Sequence, residues 1–170
     1  DQHQQVLLNG SLCTDNNGTD ALQYVWTFYD DAYQTIHGKM VEYTFHNAGT
    51  FHITLTVTDE DGNSGQNSMI VFVNDTTPPE GLINIPSSGE AGIEIFFSAY
   101  GSYDNIDGPD IIVSWDFDME DFYPDSFGMN ATHTYTDIGV YKVGVLLKDA
   151  NNNTILLIRN IVIVDTIPPT

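Results

Sequence analysis

An internal repeat of about 90 residues constrains this chain more than any other feature. Residues 73–81 read VNDTTPPEG, and residues 164–170 read VDTIPPT. The same spacing superimposes YTFHNAGTFHITLTVTD, residues 43–59, on HTYTDIGVYKVGVLLKD, residues 133–149. Self-similarity at a fixed period is typical of tandem structural units. The 170 residues therefore predict two small domains, each large enough to bury a core.

Within each copy, apolar and polar residues alternate. Every second position is apolar in FHITLTVT, residues 51–58, and YKVGVLLK, residues 141–148, repeats the pattern. A period of two is that of a strand with one buried face. Further β-rich runs are QQVLL, LQYVWTFY and SMIVFV in the first copy, and GLINI, IEIFFSAY, IIVSWDF and TILLIRNIVIV in the second. Short strands between turn signals, with no helical period, predict an all-β chain of two β-sandwiches.

The two Asp-Thr-x-Pro-Pro stretches predict where the domains end. Proline fixes φ and removes a backbone donor, so each pair is expected to end a strand and form a short, semi-rigid connection. We expect a first domain at 1–75, a linker at 76–80, a second domain at 81–165 and the start of a further linker at 166–170. The run GLINIPSSGEAG precedes the IEIFF strand in the second copy, and the first copy has no equivalent. The first domain is therefore predicted to lack an opening strand, leaving a sheet edge open to a strand from upstream sequence or a neighbouring molecule.

The charge balance excludes some classes of partner. The chain has 24 Asp plus Glu against 4 Lys plus Arg, a net charge of −20. Such a field repels nucleic acid and anionic membrane surfaces, and it attracts cations. No apolar run approaches the roughly 20 residues of a membrane helix, so no membrane insertion of this segment is expected.

Glycosylation sequons predict the location of the protein. Five Asn-x-Ser/Thr triplets occur where roughly two are expected by chance. Such density predicts an extracellular or cell-surface glycoprotein. The sequons begin at Asn9, Asn17, Asn74, Asn130 and Asn152.

Acidic residues in two matching loops are the candidates for chemistry. The loop DNIDGPD holds Asp104, Asp107 and Asp110, and the matching loop DNNGTD holds Asp15 and Asn17. Calcium takes six to eight oxygen ligands, and several acids on one turning loop can supply them. Asp, Asn and Gly also form turns without any ion, so both interpretations remain.

No catalytic motif accompanies these acids. The chain contains no Gly-x-Ser-x-Gly elbow, no zinc motif and no phosphate-binding loop, and its one cysteine, Cys13, has no nearby His partner in the sequence. The acids recur at equivalent loop positions of both copies, as a requirement of each module would. We expect a non-catalytic segment, and the sequence leaves open a catalytic domain elsewhere in a longer parent chain.

Both copies resemble the polycystic kidney disease (PKD) repeat, an immunoglobulin-like β-sandwich. The resemblance lies in GSYDNIDGPDIIVSWDFD followed by THTYTDIGVYKVGVLLKD, and in GSLCTDNNGTDALQYVWTF with YTFHNAGTFHITLTVTDEDG. The glycine-rich turn of the family is lost in both copies. The resemblance implies two tandem PKD-type sandwiches joined by a short Pro-Pro linker. We expect Trp26 and Trp115 to fill the space between the sheets.

The resemblance also implies calcium ligands, because members of the family can bind calcium through this loop, the Asp that ends the long strand, and residues near the domain start. The implied ligands are Asp104, Asp107 and Asp149, with the neighbouring Asp110, in the second copy, and Asp15, Asn17 and Asp59 in the first. Asp75 lies at the predicted joint. Sandwich arrays often bind calcium between modules at such a place; alternatively, Asp75 caps a turn before the prolines.

The function expected from these features is structural. The chain is predicted to be a calcium-stabilised module pair of a surface layer, filament or stalk, with neighbouring modules or identical molecules as partners. The alternatives are an adhesion module that binds glycan or matrix protein, and an accessory domain of a secreted hydrolase. A binding module would expose aromatic residues on one face. The candidates are Tyr29, Tyr33, Phe122, Tyr123 and Phe127.

Overall fold

The computed structural model describes residues 1–16, 22–106, 108–121 and 123–167. These residues form β-strands, turns and extended segments, and none of them is helical, which confirms the predicted all-β class. No helix long and apolar enough to cross a membrane occurs among them. The chain divides into two compact units, Asp1–Thr76 and Thr77–Thr170. The linker at 76–80 stays a prediction.

The first unit is a sandwich of two antiparallel sheets. The larger sheet has the order β3-β2-β5-β6, and the smaller one pairs β1 with β4. Its strands are β1 Gln5–Asn9, β2 Gln23–Asp30, β3 Ala32–His37, β4 Met40–Thr44, β5 Gly49–Thr58 and β6 Ser64–Val73. Its core contains Leu8, Tyr24, Trp26, Phe28, Phe45, Phe51, Ile53, Leu55 and Val73.

The second unit repeats this arrangement with one additional strand. Its larger sheet has the order β10-β9-β12-β13-β7, and its smaller sheet pairs β11 with β8. Its strands are β7 Ser88–Glu90, β8 Ile95–Ser98, β9 Ile112–Asp116, β10 Ser126–Phe127, β11 Asn130–His133, β12 Gly139–Lys148 and β13 Thr154–Val164. The pairing of β7 with β13 is parallel, whereas the other pairings are antiparallel.

The registers establish which strands correspond. Leu8 lies opposite Val41 in the first unit, and Phe97 lies opposite Ala131 in the second. The strands β1 to β6 therefore match β8 to β13 in order. Among the strands that the structure describes in the first unit, none corresponds to β7.

The alternation in the long strands is confirmed. In β5, Phe51 and Ile53 are buried while His52 between them is exposed, and β12 buries Val143 and Leu147. Both tryptophans are buried in the cores, as predicted, with 2% of Trp26 and 0% of Trp115 exposed. Each indole Nε1 donates a 2.9 Å hydrogen bond to a backbone carbonyl, that of Gly38 or Gly128. The aromatic cores are thus anchored as well as packed.

The opening segment of the second unit differs from its predicted form. The run 81–85 is not a strand: Asn84 forms an isolated bridge with Ser98, and Glu80, directly before the run, forms one with Tyr103. The strand lies further on, at Ser88–Glu90. Pro86 separates the two parts, and because proline breaks a ladder of hydrogen bonds, the segment changes there from the smaller sheet to the larger one.

Candidate metal site

The turn between β12 and β13 is built around the carboxylate of Asp149. Its Oδ1 accepts a hydrogen bond from the backbone nitrogen of Asn153 at 2.8 Å, and its Oδ2 accepts one from Asn153 Nδ2 at 2.7 Å. The backbone nitrogen of Asp149 donates to the carbonyl of Asn153 at 3.1 Å. The side chain is 2% exposed. This carboxylate is therefore held in one orientation inside the protein.

Asp104 occupies the loop between β8 and β9, and it is also buried, with 3% exposed. Its Oδ1 accepts the backbone N–H of Ile106 at 2.9 Å, a local contact that Asp makes readily in turns. Its backbone exchanges two hydrogen bonds with Gly108, at 2.7 and 3.0 Å. Gly108 has a φ of 60°, which a glycine adopts without strain. The loop thus turns back on itself and points a carboxylate inward.

Asp104 and Asp149 lie together although they are far apart in the chain. Their carboxylate oxygens are within 4.8 Å of one another, and both side chains are buried. Two negative charges so close in a poorly solvated place repel, and a cation between them removes that cost. The chain has only 4 Lys plus Arg to supply positive charge. The donor set is all oxygen, which fits a hard ion such as Ca²⁺.

The other predicted ligands of the second unit fall elsewhere. Asp110 is exposed, and Asp107 lies outside the described residues. Asp75, near the end of the first unit, is buried, with 6% exposed. Its role as a ligand stays a prediction.

The first unit has the same turn in a more open setting. Asn63 donates to Asp59 through its backbone nitrogen at 2.8 Å and through Nδ2 at 2.9 Å. The hydrogen bond from the Asn63 side chain lowers the pKa of Asp59 below its ordinary value. Asp59 and Asp15 are half-buried and line an open groove, and Asn17 lies outside the described residues.

Family models match both units. A PKD-domain model matches residues 1–73, and a second PKD-domain model matches residues 82–162. The chain belongs to the PKD family. The resemblance inferred from the sequence is confirmed, and the two units are two PKD domains in tandem. PKD domains are typically extracellular, non-catalytic modules.

The solved structures that the chain matches include two bacterial proteins. The Clostridium thermocellum CbhA fibronectin(III)-like modules are 13% identical, over 96% of this chain and 86% of that one, with a TM-score of 0.44. The second is SGBP-B of the Bacteroides ovatus mixed-linkage glucan utilization locus, in complex with a mixed-linkage heptasaccharide. It is 15% identical, with a TM-score of 0.34; the match covers 96% of this chain but only 42% of that one.

The opening segment explains why the acids are more buried in the second PKD domain. Glu80 pairs with Tyr103, directly before Asp104, and Gly81 packs closely against Leu147 and Leu157. The segment therefore covers the place where the loop meets the hairpin. In the first PKD domain the corresponding place is the open groove, so water reaches the acids there.

The asparagines that hold these carboxylates were not among the expected site residues. Asn63 and Asn153 occupy the same position of the repeat, each four residues after its Asp. The Asp-x-x-x-Asn spacing, shared by both copies, is the sequence feature from which these hydrogen bonds could have been predicted.

Another buried acid of the first PKD domain, Asp30, was also missed. It accepts hydrogen bonds from Tyr43 Oη at 3.0 Å and Asn47 Nδ2 at 3.1 Å. Burial, together with Asp30, raises the pKa of Tyr43 to about 12. Tyr43 lies on β4 and Asn47 in the loop after it, so Asp30 fixes β4 and that loop to the end of β2.

The sequons and the candidate aromatic residues lie at the surface where the structure describes them. The exposed sequon residues are Asn9, Asn74, Asn130 and Asn152. The exposed aromatic residues are Tyr29, Tyr33, Tyr123 and Phe127. Asn17 and Phe122 lie outside the described residues.

Proposed function

We propose that this chain is a structural pair of PKD domains from an extracellular surface protein, and that the second domain binds Ca²⁺ through Asp104 and Asp149. The observation that carries the calcium proposal is the approach of these two buried carboxylates to within 4.8 Å. When bound, the ion supplies the positive charge that two adjacent carboxylates need. Asp107 and Asp110 are proposed as further sources of oxygen ligands, and Asp75, near the end of the first domain, is proposed as a calcium ligand in its own right.

The chain's own residues give such an ion a mechanical role. Asp104 belongs to the loop that follows β8 in the smaller sheet, and Asp149 belongs to the hairpin of the larger sheet. A ligand shared by both residues ties the two sheets together at one end of the sandwich. It stabilises the folded domain by binding it and not the unfolded chain.

The surface supports a scaffold role. The net charge of −20 keeps such a surface soluble and draws cations to it. The four described sequon residues are exposed and so available to a glycosylating enzyme. We propose neighbouring modules or identical molecules as partners in a layer, filament or stalk. We also propose a weaker calcium site at Asp15, Asn17 and Asp59, because the first domain leaves its described acids more open to water.

Thermal unfolding with and without calcium tests the site. Each domain has one tryptophan, so Trp26→Phe leaves Trp115 as a reporter of the second domain, and Trp115→Phe leaves Trp26 as a reporter of the first. Calcium at about a hundredfold its Kd adds about 2.7 kcal/mol of stability. We expect the Trp115-reported Tm to rise in calcium and to fall back when a chelator is added.

Variants of the two carboxylates make the test specific. Asp104→Asn and Asp149→Asn should each abolish most of the rise in Tm, whereas the exposed control Glu94→Gln should keep it. Asp75→Asn tests the proposed ligand near the end of the first domain separately. Absence of any calcium-dependent change in the Trp115-reported transition would refute the site.

A second candidate function is recognition of glycan or matrix protein. Tyr29 and Tyr33 lie opposite one another on β2 and β3, with 66% and 68% of their surfaces exposed. Such paired rings can stack on a sugar, although exposed aromatic residues also occur without a ligand. Saturable glycan binding by the chain that Tyr29→Ala and Tyr33→Ala remove would favour this function over a purely structural one.

A further inference from the structure

Two histidines of the first PKD domain lie beside one another although they are far apart in the chain. His3 precedes β1 and His46 follows β4, the two strands of the smaller sheet. Because these strands are antiparallel, with Gln5 opposite Thr44, the residues just outside these two ends come close together. The centres of the two imidazole rings are 6.0 Å apart, and the ring planes are inclined by 56°. Both side chains are exposed to solvent.

Backbone hydrogen bonds hold both histidines in place. The backbone nitrogen of His3 donates to the carbonyl of Phe45 at 2.9 Å, and that of His46 donates to Oδ2 of Asp30 at 3.3 Å. Asp30 is itself buried and accepts further hydrogen bonds from two neighbouring side chains. The chain around the two rings is therefore ordered before any ligand binds, which lowers the entropic cost of binding one.

His3 has a backbone conformation that favours glycine. Its φ is 60°, in the left-handed region that is uncommon for residues with a side chain. The second PKD domain has Gly92 at the equivalent position, with a φ of 77°. The backbone nitrogen of Gly92 donates to the carbonyl of Tyr135 at 2.8 Å, as that of His3 donates to Phe45. Glycine adopts this conformation without strain, so the backbone itself gains nothing from a histidine there.

The facing position also differs between the domains. The repeat that superimposes Phe45 on Tyr135 superimposes His46 on Thr136. The second domain therefore has a glycine and a threonine in place of the two histidines, so the pair is a feature of the first domain and not a requirement of the fold. Strained residues cluster at functional sites. A strained histidine that faces a second histidine points to a joint role for the two rings.

We propose that His3 and His46 bind a divalent transition-metal ion such as Zn²⁺ between their imidazole rings. Imidazole nitrogen suits Zn²⁺, Cu²⁺ and Ni²⁺, whereas Ca²⁺ takes oxygen ligands. With Zn–N bonds of about 2.0–2.1 Å, two imidazoles on one tetrahedral ion have ring centres roughly 5 Å apart. Small rotations of these exposed side chains bring the rings from 6.0 Å to that separation. Water completes the coordination, and the net charge of −20 draws the cation to the surface.

Such an ion joins the segment before β1 to the loop after β4. It stabilises the first domain because it binds the folded domain and not the unfolded chain. The site shares no residue with the proposed calcium site of the second domain, and its ligand atoms are nitrogen and not oxygen. The proposal therefore goes beyond the proposed function and does not rest on it.

Calorimetric titration of the intact chain with Zn²⁺ tests the proposal. Excess Ca²⁺ in the buffer competes for carboxylate sites. We expect His3→Gly and His46→Ala each to weaken zinc binding at least about tenfold, because the second imidazole of the pair acts at a high effective concentration. The control His52→Ala removes another exposed histidine of the same domain and should retain the affinity.

The His3→Gly variant separates a ligand role from a structural one. Because glycine suits the left-handed backbone, its Tm without metal should be no lower than that of the parent chain. Trp26 fluorescence in the Trp115→Phe background reports this transition. Zinc should raise the Tm of the parent chain but not that of His3→Gly or His46→Ala. A lower metal-free Tm in His3→Gly, with zinc binding retained, would show that the ring only packs there and would overturn the proposal.

Two further results would also overturn it. One is a zinc affinity that neither substitution changes, because the ion would then lie on other groups. The other is binding that only one of the two substitutions weakens, because the ion would then not be shared by the pair. Asp104→Asn should leave zinc binding by the histidines unchanged, so failure of this proposal and failure of the calcium proposal are distinguishable.

Discussion

The carboxylate of Asp149 accepts two hydrogen bonds from a single residue, Asn153, at 2.8 Å from the backbone nitrogen and 2.7 Å from Nδ2. Asp59 and Asn63 repeat this arrangement at 2.8 and 2.9 Å. The residue before each asparagine is in the left-handed region, with a φ of 72° at Asn152 and 85° at Gly62. The same type of turn therefore occurs in both PKD domains, in a more open environment in the first and a buried one in the second.

The Asn153→Ala substitution should destabilise the second PKD domain by about 2 kcal/mol, because a buried carboxylate loses a hydrogen bond that water cannot replace. The matched Asn63→Ala should cost the first domain less, since Asp59 is half-buried. Urea unfolding, followed by Trp115 or Trp26 fluorescence in single-tryptophan variants, measures both. An equal loss in the two domains would contradict the assigned effect of burial.

The Gly81→Ala substitution should destabilise the second PKD domain by about 1–3 kcal/mol through overpacking. The added Cβ would lie 2.9 Å from Leu147 Cδ1 and closer still to Leu157 Cδ1. The matched control Gly65→Ala places a methyl group where no atom lies within 4 Å. In the double variant Gly81→Ala, Leu157→Ala, the side chain that the new methyl group contacts is removed. Urea unfolding should therefore show a loss of stability smaller than the sum of the two single losses. Strictly additive losses would rule out that contact as the cause.

Acid should weaken the second PKD domain through Glu90. The backbone and hydroxyl groups of Thr166 donate to this carboxylate at 2.5 and 2.8 Å, and they lower its pKa below the ordinary 4.5. The unfolded chain therefore binds the proton first as the pH falls. The stabilisation is complete above pH 4.5 and is lost as the pH falls through the lower, folded pKa.

The measurement is urea unfolding between pH 6 and pH 2, buffer values chosen to bracket ordinary carboxylate pKa values of about 4. Glu90→Gln should reduce the fall in the free energy of unfolding with decreasing pH that Trp115 fluorescence reports. Glu94→Gln should leave that pH dependence unchanged. If Glu90→Gln leaves the pH dependence of the free energy of unfolding unchanged, the Thr166 contact does not form in solution.

Alkali should weaken the first PKD domain through Tyr43. Burial and the contact with Asp30 raise the pKa of this phenol from 10.0 to about 12, so the folded domain keeps a proton that the unfolded chain loses. The stabilisation is complete below pH 10 and disappears as the pH rises to about 12. Tyr43→Phe should remove this component from Trp26-reported unfolding. Spectrophotometric titration that finds every tyrosine near the ordinary value would disprove the effect.

Much of the fold could be predicted because its signals are local. The alternation in β5 and β12 predicts a buried face wherever the strands pack, and the tryptophans are large enough that a sandwich core is their natural place. The run 81–85 shows the limit of such reasoning. Its composition is that of a strand, but its hydrogen bonds depend on the tertiary structure. The chain passes from the smaller sheet to the larger one at Pro86, and the strand forms only after that point, at Ser88–Glu90.

The candidate site could be predicted only in part. Acidic loops and the Asp that ends each long strand are visible in the sequence, and Asp104 and Asp149 were among the expected ligands. The asparagine partners were not expected, because an Asn in a turn is common and its hydrogen bonds depend on the geometry of the turn.

By itself the sequence determined the repeat, the β class, the family and the acidic character of this protein, because these properties lie in the order and periodicity of residues. The tertiary structure alone decided which acids meet and which are buried. Asp104 and Asp149 come together because two sheets close on one another, and Asp15 and Asp59 stay more open because no segment of the described first domain covers their groove. Burial and proximity between distant residues are consequences of packing, which no local pattern specifies.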